Sequence, residues 1–245
     1  PAPAFKTDSL RARVWRAVEA QHKVSTMRLV DNRLADQKIL EDILEASKPP
    51  VPEAARDKHW LIFTPFRYAP PPPGSRVRAP QDPGVFYGAF EQRTACAEIG
   101  HWRWRFVQDS EGLDRLEAKP MSLFAAKVDT QSAIDLRKPP LSRRQKIWTD
   151  PDSYAETQAL ARQARGQDIE AIVYESVRDP QRGGAVAVLT PKPINGPIGT
   201  PENWFLTVTR DRAIWQRAVS NSSRPGILPC SLFPPMGRAC CRPAA

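Results

Sequence analysis

Residues 66–105 read FRYAPPPPGSRVRAPQDPGVFYGAFEQRTACAEIGHWRWR. Arg67 and Tyr68 stand ahead of a proline run, and Gly74 opens a turn at Gly74-Ser75-Arg76-Val77-Arg78, because glycine reaches backbone angles closed to other residues. Pro83-Gly84 marks a second turn, and the run Val85-Phe86-Tyr87 behind it predicts a short strand. Thr94 suits a helix N-cap, with Ala95, Ile99 and Trp102 recurring at helical spacing after it. Glu98 sits in that helix off the apolar stripe. A strand carrying Tyr87 thus delivers the chain into a helix carrying Glu98, with arginines just upstream. That order suits a phosphate-bearing ligand held close to a carboxylate.

Composition sets the outer limits. The chain has 245 residues, 41% hydrophobic and 26% charged, enough for one globular domain with appendages. No run of about 18 apolar residues exists, which excludes a membrane-spanning helix. Pro1 to Ser9 lacks the basic-then-apolar pattern of a secretory signal, so a cytoplasmic protein is expected. The net charge of +9 permits an anionic partner, but the positive residues are spread along the chain with no dense lysine tract. The 26 prolines cluster at 49–52, 69–73, 191–201 and 225–243 and mark loops. Cys96 falls in the predicted helix and Cys230, Cys240 and Cys241 near the end, which is no disulfide framework. His22, His59 and His101 lie far apart, so no metal site is expected.

Outward from the central stretch, the pattern predicts a single mixed α/β domain with a mostly antiparallel central sheet flanked by helices. Val14 to Val18 reads as an opening strand. Asp31 or Asn32 caps a helix through Ser47, whose stripe of Leu34, Ile39, Leu40, Ile43 and Leu44 marks a packing element. Trp60 to Phe63 reads as a strand, and Gly112 to Pro120 as a turn region. Leu123–Val128 and Ala133–Leu136 read as two strands joined by a polar turn at Asp129-Thr130-Gln131. Ser153 caps a helix running to Arg165 and ended by Gly166. Strands follow at Ala171–Tyr174, Ala185–Leu189 and, at an edge, Trp204–Val208, then a last short helix at Asp211–Val219. The expected division is an N-terminal extension at 1–11, a domain at 12–219, and a Pro/Cys-rich tail at 220–245, disordered or non-native and without function.

Four segments in order, Gly74–Arg78, Pro83–Phe90, Thr94–Gly100 and Ile172–Asp179 (IVYESVRD), resemble the RES-domain family over roughly residues 12 to 215. Trp148 to Ala164 resembles the region preceding the family's serine. The family is named for an arginine, a glutamate and a serine, best matched by Arg76, Glu98 and Ser176, with Tyr87 as the aromatic between the first two. Many members carry an aromatic where Val77 stands, and Arg78 follows it, so Arg67-Tyr68 is a rival for the phosphate-binding element. Tyr-Glu-Ser replaces the common Tyr-Pro-Ser.

The resemblance implies attack on the nicotinamide–ribose bond of NAD⁺ by a glycohydrolase or phosphorylase. NAD⁺ would be the substrate, with inorganic phosphate as an optional co-substrate and no bound cofactor. It implies a fold like that of ADP-ribosyltransferase toxins. It also implies a toxin neutralised by a helical Xre-type antitoxin, through which alone it would meet nucleic acid. The alternatives are mono-ADP-ribosyl transfer to a protein, and a basic nucleic-acid-binding module without catalysis.

The residue chemistry fits those implied roles. A pyridinium leaving group needs little help, and the barrier lies in the oxocarbenium-like ribose. Glu98 beside that ribose would stabilise its growing charge. Arg76 or Arg67 would grip the diphosphate with a planar fork. Tyr87 would stack on nicotinamide or the ribose face, and Ser176 would bond the substrate or orient Glu98. Tyr68 and Arg78 complete the expected substrate-binding set. Trp102 and Trp104 read as packing residues, and His101 as an ordinary surface or core histidine.

Overall fold

The computed structural model describes residues 5–20, 29–31, 33–69, 74–218 and 227–230. Its core is a ring of strands. β1 (Asp8–Glu19) pairs antiparallel with β3 (Arg115–Asp135), Trp15 opposite Ala125 and Glu19 opposite Met121. β3 runs parallel to β4 (Ala171–Glu175), and β4 is antiparallel to β5 (Gly184–Val188). β5 in turn pairs with β2 (Phe86–Ala89). β2 returns to β1 through a single registered pair, Trp15 with Ala89. Closing a sheet on itself removes exposed edges, and here every pairing in the ring but β3–β4 is antiparallel. Outside the ring, β6 (Ile194–Asn195) and β7 (Glu202–Thr209) pair with β3, β8 (Ala213–Arg217) with β7, and β9 (Ile227–Cys230) with β8.

Period-two alternation sorts the strand residues into two faces. Val14, Phe86, Phe124, Val173 and Val186 form one buried cluster, joined by Leu61, Ile62 and Phe66 of helix α2 (Trp60–Arg67). Their strand neighbours face the other way. Ala17, Ala89, Leu123 and Leu206 pack on helix α3 (Gln92–Asp109), while Ile172, Tyr174 and Ala187 pack on helix α5 (Ala155–Arg165), with the short α4 (Gln145–Trp148) beside it. Burying each large aliphatic or aromatic side chain contributes about 1.5–3 kcal/mol, so all three clusters hold the ring. The mixed α/β, mostly antiparallel expectation is met.

Several local expectations are overturned. Trp60–Phe63 opens α2 and not a strand: an apolar run this short satisfies either period, and His59 Nδ1 caps the helix by accepting from Leu61 N at 3.2 Å. Asp211–Val219 yields strand β8, because Thr209 N donates to the Arg212 carbonyl and turns the chain back onto β7. β7 is therefore internal and not an edge. The polar triplet at 129–131 does not turn: Asp129 and Thr130 register opposite Arg11 and Leu10 within the 21-residue β3, which already begins at Arg115. Helix α3 starts ahead of Thr94 with Glu91 at its N-cap, and α5 has Tyr154, not Ser153, at its N-cap; Gly166 caps its end as expected.

Helix α1 (Leu34–Ala46) forms, with Arg33 at its N-cap; Asn32 lies outside the described residues. Its stripe is not a packing face: Leu34, Ile39 and Ile43 are 75%, 58% and 60% exposed. Periodicity shows that a helix has an apolar side, and says nothing of what meets it. β1 begins at Asp8, ahead of the expected boundary at residue 12, and Ile227–Cys230 of the expected tail forms β9. Cys240, Cys241 and His22 lie outside the described residues. Among the described residues, no helix is long and apolar enough to cross a membrane, and no three His, Cys, Asp or Glu side chains gather as metal ligands.

Candidate active site

The cleft opens where β1 and β2 part beyond their one shared pair. Arg16, on β1, spans the gap: its Nη1 donates to the Tyr87 carbonyl at 2.7 Å, and its guanidinium carbon lies 5.0 Å from the centre of the Phe86 ring. The turn ahead of β2 closes one side. Ser75 N donates to the Arg78 carbonyl at 2.7 Å, and Gly74 adopts φ +93° where a Cβ would stand 2.3 Å from that same oxygen. Only glycine fits there. Tyr87 is fixed by this turn, its hydroxyl 2.7 Å from Ser75 Oγ and accepting from Val77 N at 3.2 Å. Burial pushes its phenol pKa up.

Glu98 projects from α3 into a cavity of about 320 Å³ whose lining also includes Arg16, Arg76, Tyr87, Tyr154 and Arg178. Ser176 Oγ donates to Glu98 Oε1 at 2.5 Å and accepts from Arg178 N and Asp179 N, each at 3.2 Å. With both backbone donors satisfied by the hydroxyl oxygen, its single proton is committed to the carboxylate. Ser176 is fully buried and does not line the cavity, so of its two expected roles the geometry supports orienting Glu98. Burial pushes the Glu98 pKa above the ordinary carboxylate value; the Ser176 hydrogen bond and the charges of Arg76 and Arg178 pull against it.

Arg76 and Arg178 act on this carboxylate, and Arg16 shares its cavity. Arg76 Nη1 donates to the carbonyls of Trp148 and Asp150 at 2.9 and 3.1 Å, with the guanidinium 5.0 Å over the Tyr154 ring. Arg178 Nη2 donates to the Pro151 carbonyl at 2.5 Å and to Tyr154 Oη at 3.0 Å. Arg16 keeps a buried Nε without a hydrogen-bond partner among the described residues, and burial lowers its pKa to about 10, which leaves it charged at neutral pH. Among the described residues none of the three is in an ion pair. Carbonyl anchors fix the cations in place without cancelling their charge, so the cleft carries an excess of positive charge that an anion would satisfy.

A second cavity of about 350 Å³ adjoins the first at Arg16, Ser75 and Tyr87, and its walls include Trp60, Tyr68 and Arg78. Arg78 is committed to scaffolding: its Nη2 donates to the Tyr68 carbonyl at 2.8 Å and its Nε to the Asp82 carbonyl at 3.1 Å. Arg67 is not brought to either cavity. It donates to the Pro49 carbonyl and pairs with Glu45 at 2.6 Å, tying α2 to α1. Glu98, Arg76, Ser176 and Tyr87 therefore converge, Tyr68 and Arg78 lie next door, and Arg67 faces away.

Sequence reasoning missed Arg16, Arg178 and the buried carboxylate of Asp179. Asp179 accepts from Arg93, from Thr94 Oγ1 at 2.7 Å and from the backbone N–H groups of Gln181 and Gly183 at 3.0 and 3.2 Å. It locks the loop carrying Ser176 and Arg178 to the first turn of α3. A Cβ on Gly183 would stand 2.1 Å from Thr94 Oγ1. The available signal for Arg16 was its parity: it shares an inward row of β1 with Val14 and Val18, where a cation is costly without a purpose.

His101, on α3, is buried, and desolvation together with the charges of Arg178 and Arg105 lowers its pKa from 6.5 to about 3. Its folded value lies below its unfolded one, so the unfolded chain binds the proton first, and stability falls as pH drops from about 6.5 toward 3. The parent should lose melting temperature across that window more steeply than a His101→Gln variant, measured by thermal melts at matched ionic strength. Parallel curves for the two proteins would refute the assignment.

The RES domain profile matches residues 50–207. No curated protein matches the chain in sequence. Among solved structures, the fold is similar to that of a chain in the M. tuberculosis MbcT-MbcA toxin–antitoxin complex. The two share 12% sequence identity and a TM-score of 0.46, over 80% of this chain and 86% of that one.

Proposed function

This chain belongs to the RES domain family, and we propose that it consumes NAD⁺ by breaking the nicotinamide–ribose bond. The observation that carries the reading is a desolvated carboxylate, Glu98, oriented by Ser176 and under the charges of Arg76 and Arg178, in a cleft that Arg16 also lines. Two adjoining chambers that meet at half-buried Arg16 suit two nucleosides joined by a diphosphate; pockets of a few hundred Å³ each are of ligand size.

In this reading the diphosphate lies at Arg16 between the chambers, with Arg76 and Arg178 on the Glu98 side. The bond from ribose C1′ to the pyridinium nitrogen breaks, and its electron pair goes to the ring, which leaves as neutral nicotinamide. The positive charge developing on the ribose is stabilised by Glu98, and the effect is large because the carboxylate stands in a site partly stripped of water. An acceptor, water or inorganic phosphate, then adds at C1′. When water is the acceptor its proton passes to Glu98, whose raised pKa makes it the stronger base. The same reading makes the protein a toxin, held in check by an antitoxin protein of Xre type, acting on the cytoplasmic NAD⁺ pool.

The test is to incubate the protein with NAD⁺, with and without phosphate, and follow products by proton and phosphorus NMR. Free nicotinamide with ADP-ribose would establish hydrolysis, and a phosphorylated ADP-ribose would establish phosphorolysis. Intact NAD⁺ in the presence of natively folded protein would overturn the proposal.

A further inference from the structure

Helix α3 turns Ala95, Glu98, Ile99 and Trp102 toward the cleft, a single helical face at spacings of three and four. Trp102 lies one turn beyond Glu98 on this row. Trp102 lines the cavity and as a residue is 46% exposed, so it is not a buried packing residue. The β-strand residues lining the same cavity include Ala17 and Ala89, whose side chains are small. The cations next to Trp102 in the chain are engaged elsewhere, Arg103 with Glu19 at 2.7 Å and Arg105 with Asp109 at 2.8 Å. Among the described residues no guanidinium stands over the Trp102 ring, whereas Trp15 already has Arg13 at 4.6 Å from its centre. His101 meets Trp102 edge-on, its ring at 74° to the indole, and is neutral at physiological pH.

Arg16, Arg76 and Arg178 in this lining attract a diphosphate, while the Trp102 end offers an aromatic face one helical turn from the Glu98 carboxylate, which favours a cation there. We propose that Trp102 is a specificity-determining residue whose indole face receives the positively charged pyridinium ring of the substrate. The inference rests on the NAD⁺ reading above. The ring quadrupole attracts a cation held over its face, and that attraction ends when cleavage returns the electron pair and the ring becomes neutral. Trp102 then favours the substrate over the nicotinamide product and helps empty the site after each turnover. Because the interaction is strongest in the ground state, its loss should fall on KM and leave kcat the same or higher.

The probe is the 1-methylnicotinamide cation, with neutral nicotinamide as its control, titrated by calorimetry into the parent, Trp102→Phe and Trp102→Leu proteins. NAD⁺ kinetics and inhibition by ADP-ribose, which lacks the ring, are measured alongside. A partly desolvated cation–π contact predicts about a tenfold weakening of the methylnicotinamide Kd and a similar rise in the NAD⁺ KM for Trp102→Leu. Trp102→Phe should lose only part of this, and ADP-ribose should inhibit all three proteins equally. A parental KM and cation affinity in Trp102→Leu would overturn the proposal. So would an equal loss for ADP-ribose, which would mark a structural role, or a parent that does not bind the cation. Trp102-dependent binding of the cation without NAD⁺ cleavage would keep the aromatic wall and reject the reaction assigned above. NAD⁺ cleavage with no dependence on Trp102 would do the reverse.

Discussion

Glu98→Gln protein should turn over NAD⁺ about 10²–10³-fold more slowly than the parent, the usual cost of removing one preorganised polar group from a transition state, and should melt at a higher temperature. The two effects share one cause. Burial raises the Glu98 pKa above its ordinary 4.5, so as pH rises from about 4.5 through the folded value, the unfolded chain ionises first and the folded state loses stability. Glutamine keeps the acceptor for the Ser176 proton and removes the desolvated charge. The gain in melting temperature should therefore be absent below pH 4.5 and grow as pH rises, each kcal/mol reading as about 2–4 °C in a chain of this size. Steady-state kinetics and paired thermal melts at several pH values check both halves. Parental turnover would remove Glu98 from the chemistry; a melting temperature that falls at neutral pH would mean that the carboxylate's hydrogen bond and charge partners outweigh its desolvation.

Arg16→Lys should raise the KM for NAD⁺ by about 10²-fold. Lysine preserves the charge but not the planar fork, so it cannot hold the Tyr87 carbonyl and a diphosphate oxygen together, and a charge-assisted hydrogen bond contributes about 1.5–3 kcal/mol. ADP-ribose, which retains the diphosphate, should weaken in parallel as an inhibitor, in contrast to its indifference to Trp102. Arg67→Lys is the control: Arg67 binds the Pro49 carbonyl and Glu45 outside both cavities, and its KM should be parental. If Arg67→Lys raised KM and Arg16→Lys did not, the diphosphate would lie elsewhere.

Much of this candidate site is legible in the sequence. The order of turn, strand, helix and distant serine element carries Tyr87, Glu98 and Ser176, and each does sit where a strand, a helix and a post-strand loop should put it. Local signals served poorly where two periods fit the same residues. Trp60–Phe63 is too short to separate helix from strand, and a helix cap decided it. Asp211–Val219 carries a helical pattern, and pairing with β7 decided it. For α1 the pattern was right about the helix and wrong about its burial.

The sequence by itself determined which elements form around residues 66–105, because alternation and helical spacing are local properties of the backbone, but it set Glu98 off the stripe of Ala95, Ile99 and Trp102 with which it lines the cleft. Only the tertiary structure decided what each face meets. Closing the ring through the single pair Trp15–Ala89 brings Arg16 beside Tyr87 from 71 residues away. The Asp179 loop brings Ser176 beneath Glu98 across 78. Such contacts between distant segments follow from strand pairing and burial, and a periodic pattern contains no term for them. That is why Arg16 was overlooked, and why Arg67, read as a rival to Arg76 for the phosphate-binding arginine, lies outside both cavities.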